Sequence, residues 1–184
     1  MRIRWGGRFT EASDYRISTQ TEVPLRDFIA FSSPGTYHLE MKNLAPLFPR
    51  FILGFGFVYH GFPKLFLPAE REAFIGMLRT LGVPQPGLMA WAVGALEFVG
   101  GLALIAGAFV LIFGSLLTVH MLVAMFTVNL SQGFSFMNVT GRTEAGPTFG
   151  MPGYEVNLLY IAGLLVLILG GSGVFSVDRR RSRH

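Results

Sequence analysis

The chain has 184 residues, enough for one ordinary domain, of which 51% are hydrophobic and only 14% charged, and its mean hydropathy is +0.49. Soluble domains carry roughly a quarter charged residues, so an ordinary water-soluble globule is excluded; the absence of cysteine also excludes disulfides and thiol redox chemistry within the chain. The net charge of +4 does not point to nucleic acid, because the basic residues gather toward the termini and not on one recognition face.

Residues 1–43 are polar and mixed in charge, without the apolar stretch of a signal peptide, and read as a disordered cytoplasmic extension. "MKNLAPLFPR" offers a second reading, in which translation begins at Met41. A first span is predicted from about Leu47 to Leu67; it contains "FILGFGFVYHGFPKLF", where His60 and Lys64 lie one helical turn apart in apolar surroundings. Pro63 removes a backbone donor, which predicts a kink or an early end there. From Pro68 to Gly87, Phe74, Met77, Leu78 and Leu81 recur at helical spacing before Gly82 and Pro84. That segment is too short and too charged to cross, and reads as an interfacial helix.

From Leu88 to Leu130 the only charged or histidine residues are Glu97 and His120. One helix of that length would reach about 65 Å, roughly twice the hydrocarbon thickness. The run must therefore fold back, and a turn near Gly107–Phe113 divides it into spans of about 88–107 and 111–130. Ser131 to Gly153 holds five glycines and two prolines among Phe134, Phe136, Met137, Phe149 and Met151, and reads as a strandless loop over the mouth of a bundle. A fourth span runs from near Tyr154 to near Val174, and "VDRRRSRH" stops it.

The predicted fold is all-α: a transmembrane four-helix bundle over 44–178 with a short interfacial helix between spans one and two, and a basic tail over 179–184. Lys42, Arg50 and the arginines of the tail fall on one side, which by the positive-inside rule is cytoplasmic and carries both termini. Lys64, Glu97, His60, His120 and Glu155 then fall at the midplane or in the outer half. A lone charge at a helix centre costs about 2.5–3.5 kcal/mol on insertion scales, so these groups are expected to converge, with Glu97 and Glu155 reaching His60 and Lys64, and His120 approaching Glu97. The plainer expectation is that they only satisfy one another and hold the helices in register.

"PRFILGFGFVYHGFPKLF", "GALEFVGGLALIAG" and "GYEVNLLYIAGLLVLILGGSGVFSVD" together resemble the DoxX family of small four-span membrane proteins. The resemblance lies in their order: Arg opening span one, HG followed by K, E followed by GG, E opening span four, and GxGxxSxD closing it. Arg50, Gly61, Lys64, Glu97, Gly101, Glu155 and Asp178 match that pattern, and His120 has no clear place in it. The resemblance implies a component of a membrane oxidoreductase system in the bacterial inner membrane, with other redox subunits and the lipid bilayer as partners.

On the residues themselves, a histidine and a carboxylate in an apolar pocket suit the two oxygens of a quinone and the movement of its protons. Glu97 is then the proton acceptor, His60 and His120 the ring contacts, and Lys64, Glu155 and Arg50 the groups that bind and stabilise. No metal site is expected. Alternatives are a non-enzymatic subunit or a carrier of small solutes or protons, and bis-histidine haem between His60 and His120, which nothing further in the spans supports. Asn129-Leu-Ser and Asn138-Val-Thr match the glycosylation pattern, which occurs by chance at this length.

Overall fold

A computed structural model describes residues 44–173 and 175–181 of the protein. The expected extension over 1–43, the alternative start at Met41 and the end of the tail lie outside the described residues. In chain order come α1 (Leu47–Phe66), α2 (Pro68–Thr80), α3 (Pro86–Ala106), α4 (Val110–Ala124), β1 (Val139–Thr143), β2 (Gly146–Phe149), α5 (Glu155–Gly170) and a short α6 (Val177–Arg181). α4 continues through a π-helical turn, Met125–Asn129, and a 3-10 turn, Leu130–Gln132. Among the described residues two helical paths, Pro86–Ala106 and Val110–Gln132, are long and apolar enough to cross a membrane, and α5 is apolar but shorter.

The breaks between helices follow from proline and glycine. α1 does not finish at Pro63 but runs on to Phe66, and the Leu67 amide donates to the Pro63 carbonyl at 3.0 Å. Leu67 alone separates α1 from α2, whose first residue is Pro68. Proline at the first helical position loses no internal bond, and Pro86 opens α3 in the same way. The α3–α4 turn is tighter than expected: Gly107 and Phe109 adopt positive φ of 66° and 51°, and α4 starts at Val110.

α1 packs chiefly on α3 and α4 chiefly on α5, with further contacts of α1 to α5 and of α3 to α4. The core between them is Leu53, Phe57, Leu104, Leu117, Leu164 and Leu167. The α1–α3 crossing is antiparallel and nearly backbone to backbone. A Cβ on Gly54 would lie 2.7 Å from the Gly101 carbonyl oxygen, one on Gly101 2.6 Å from that of Gly54, and one on Gly61 2.8 Å from that of Gly94. Seven residues are close to two turns, so Gly54 and Gly61 share one face and Gly94 and Gly101 the facing one. Small residues at this spacing let apolar helices approach where water supplies no driving force. A second cluster, Ile75, Leu78 and Ala90, seats α2 against α3.

The segment Ser131–Gly153 corrects the strandless reading. β1 and β2 pair antiparallel, with Val139 opposite Phe149, Arg142 opposite Pro147 and Thr143 opposite Gly146. Glu144 and Ala145 form the turn. The β-branched Val139, Thr140, Thr143 and Thr148 supply the strand preference that the glycines and prolines around them obscured.

At the other end of the helices the GxGxxSxD motif acquires a physical meaning. Gly171 and Gly173 take positive φ of 78° and 76°. They turn the chain so that Ser176 caps α6, its hydroxyl accepting from the Arg179 amide at 3.2 Å. The Asp178 carboxylate accepts from the amides of Phe109 at 2.7 Å and Val110 at 3.0 Å. It thus caps α4 from the far end of the sequence and holds Phe109 in its left-handed conformation.

Arg50, expected among the groups that bind and stabilise a ligand, completes this knot. It is buried, and its guanidinium donates to the carbonyls of Leu104 at 2.9 Å, Ile105 at 2.8 Å, Ser172 at 2.5 Å and Phe175 at 3.1 Å. Four of its five N–H groups are thereby committed to backbone, two of them to carbonyls in the last turn of α3. Arg50→Lys keeps the charge and loses the planar fork, so we expect a loss of about 2 kcal/mol. Release of the C-terminal segment should appear as faster proteolysis of a tag placed after His184, and an unchanged cleavage rate would show that the knot is dispensable.

Candidate functional site

The α1–α3 crossing is what brings the charges together. Gly61 and Gly94 flank the pair: a Cβ on Gly61 would lie 2.9 Å from that of Glu97, and one on Gly94 3.0 Å from that of Lys64. With neither present, Lys64 Nζ donates to Glu97 Oε2 at 2.6 Å. The second carboxylate oxygen, Oε1, meets His120 Nε2 from α4 at 3.0 Å. Side-chain exposure is 7% for Glu97, 15% for Lys64 and 16% for His120. An ionised carboxylate accepts only, so the histidine carries a proton on Nε2 when Glu97 is charged.

Lys64 is also satisfied elsewhere. Its Nζ donates to the His60 carbonyl at 3.0 Å and lies 4.9 Å from the centroid of the Phe74 ring on α2. The ring takes up one face of the ammonium through its quadrupole. Arg71 secures α2 in the same manner, 4.4 Å from the Trp91 centroid on α3 and donating to the Leu65 carbonyl at 3.0 Å.

His60 does not join the expected cluster, although it lies one turn from Lys64: residues 56, 60 and 64 form a four-residue stripe along α1. The buried positions of α1 are Arg50, Leu53, Gly54, Phe57 and Gly61. A step of four residues turns about 40° past a full circle, so that stripe drifts off the packed face. The His60 ring is exposed, lies edge-on to Tyr59 with centroids 5.6 Å apart, and makes no hydrogen bond among the described residues. It lines a groove of about 900 Å³ between α1 and α2, with Phe55, Phe62, Lys64, Glu70 and Phe74 among the other walls. Lys64 therefore stands between the groove and the buried carboxylate.

Glu155 does not join the cluster. Its carboxylate accepts from the Phe136 amide at 2.8 Å and its own amide donates to the Phe134 carbonyl at 3.0 Å. At the first position of α5 it clamps the preceding loop, because the open amides near a helix start favour an acidic residue. Both candidate glycosylation amides are committed as well, Asn129 to the Pro152 carbonyl at 2.9 Å and Asn138 to Gln132 and Met151 at 3.1 Å each.

The sequence reading missed Asn157 and Tyr160, which lie on the inner side of α5. Asn157 is buried and donates to the Met121 carbonyl at 3.3 Å, beside His120 in α4. Tyr160 packs its ring 5.2 Å edge-on to Phe57, and its hydroxyl occupies the space that a side chain on Gly56 would fill. Their signal was spacing: Asn157, Tyr160, Ile161 and Leu164 recur at three and four residues, and two of them are polar in a run with no charge.

Apolar helices, outward-facing hydrophobic side chains and a carboxylate enclosed between a lysine and a histidine define a helical membrane protein. The family model described as DoxX matches residues 45–130, and over that part, which runs from the start of α1 to the continuation of α4, the chain is similar to the DoxX family. No curated protein and no solved structure gives a significant match.

Proposed function

We propose that this DoxX-like membrane protein is a four-helix bundle, with α1, α3, α4 and α5 crossing the bilayer and α2 in the interface, and that it handles quinol for a membrane oxidoreductase system. The observation that carries this reading is Glu97, a carboxylate among apolar helices with a proton-bearing partner on each oxygen, one side chain away from a groove lined by apolar residues and His60. A quinol in the groove presents its hydroxyls to the His60 imidazole and to Lys64. Of the two protons it releases on oxidation, one has an acceptor in the His60 imidazole and the other in Glu97, from which His120 continues the path into α4. The two electrons leave for a redox partner subunit, so the chain supplies binding and proton handling.

Purification in mild detergent, followed by extraction and chromatography of bound quinone, tests this directly. Stoichiometric quinone in the wild type and its loss in His60→Ala support the proposal. Protein that neither retains quinone nor takes up an added short-chain quinol would end it, and a Soret band in the same sample would replace it with haem.

One observation favours a second reading, in which the charges only set helix register: Lys64 is already saturated by Glu97, the His60 carbonyl and the Phe74 ring. Double substitution of Glu97 and Lys64 separates the two readings. For the topology, the proposal places both termini in the cytoplasm of a bacterial cell, following the arginines beside Asp178. Reporter fusions after Asp178 and within 141–150 are expected to report opposite sides of the inner membrane. Equal reports would remove the four-span arrangement.

A further inference from the structure

The hairpin between α4 and α5 has both faces open. Phe134, Phe136, Met137, Val139, Phe149 and Met151 are between 48% and 63% exposed, and most positions of both strands are exposed. A two-stranded ribbon that buries neither face is marginal by itself in water. This one is nevertheless tied down firmly. The amides of Gly153, Tyr154 and Glu155 donate to the carbonyls of Ser135, Gly133 and Phe134, each at 3.0 Å, and Glu155 takes the Phe136 amide. A side chain on Gly153 would run into the Gly133 carbonyl. Phe134 and Phe136 are thus held level with the ends of the two helices, directly after the outward-facing Phe126 and Leu130 of the α4 path.

We propose that this hairpin is a lipid-binding plate, lying in the headgroup layer at the α4–α5 end with its phenylalanines and methionines in the acyl boundary. The exposed apolar residues of the α4 path end at Leu130, and the exposed Phe134 and Phe136 follow after the short Ser131–Gly133 link. The charged residues of the ribbon, Arg142 and Glu144, sit at its tip beside the turn, while Thr140 and Thr148 satisfy each other across the strands, so the apolar base lies in lipid and the tip in water. Aromatic side chains at a span end anchor a helix in this way. The inference rests on α4 and α5 crossing the membrane, and on nothing that concerns quinol.

The cysteine-free chain permits single-cysteine spin labelling of the full-length protein in phosphatidylcholine–phosphatidylglycerol vesicles, at positions 136, 149, 142 and 123. Val123 on α4 is the reference, since its lipid exposure tests the span itself. Labels at 136 and 149 are expected to collide with oxygen several-fold more often than with a water-soluble nickel chelate, and the label at 142 to show the reverse. Nickel access at 136 and 149 equal to that at 142 would overturn the plate, as would protection of both from either reagent, which signals cover by protein. Failure of oxygen access at 123 as well would instead strike at the membrane reading on which the plate depends.

Discussion

Glu97→Leu is expected to destabilise the protein by about 3–5 kcal/mol, because it leaves Lys64 as an uncompensated charge among apolar helices and His120 without its acceptor. Reversible unfolding in mixed micelles with increasing dodecyl sulfate measures the loss. Adding Lys64→Met to Glu97→Leu removes the orphaned charge, and more than half of the lost stability should return, since an apolar pair often substitutes for a buried ion pair at no net cost. Quinol binding should not return with it. If the double variant recovers both its stability and its ligand, the charges serve only helix register. Glu97→Gln belongs between these cases. The amide retains hydrogen bonding to Lys64 while losing charge and proton exchange, so stability should fall by about 1 kcal/mol while any proton-coupled activity is lost.

Gly101→Ala is the second large effect, expected to cost about 3 kcal/mol. Its new methyl would lie 2.6 Å from the Gly54 carbonyl oxygen and 2.8 Å from the Val58 amide nitrogen. Neither is the end of a flexible side chain, so α1 and α3 must move apart, and overpacking of this kind is felt along the whole contact. The Lys64–Glu97 bond lies in the same crossing and should lengthen with it. Gly76→Ala in α2 provides the contrast, because nothing lies within 4 Å of its Cβ. There the lower backbone entropy of alanine is expected to stabilise by roughly 0.5–1 kcal/mol. Equal destabilisation by both substitutions would mean that the α1–α3 approach is looser than these distances require.

The helices were legible in the sequence wherever proline or glycine sat at a break. Pro68, Gly82, Pro86 and Gly107 put the ends of α1, α2 and α3 within a residue or two of their positions. The pairing of Glu97 with Lys64 and His120 was legible too, because a charge in an apolar helix must find a partner and few were on offer. His60 was misplaced because a four-residue stripe resembles a helix face over two turns while drifting away from it. Glu155 was misplaced because depth was reckoned from span ends alone, and the loop before it showed no strand in its sequence. Once that loop is a hairpin folded onto the start of α5, its backbone amides are the nearest partners. The backbone partners of Arg50 were illegible for a related reason: the carbonyls it satisfies come from Leu104, Ile105, Ser172 and Phe175, and only the folded chain brings those four together.

The central claim is that Glu97 exchanges a proton with a ligand and does more than anchor Lys64. Infrared difference spectroscopy of the detergent-purified protein, recorded as a short-chain quinol is added, reads that exchange at the carboxyl group itself. The predicted result is a carboxylic-acid C=O band that appears with quinol in the wild type and is absent in Glu97→Gln. A wild-type difference spectrum with quinol bound but no carboxyl band would contradict the account, and would leave Glu97 as the structural partner of Lys64 and His120.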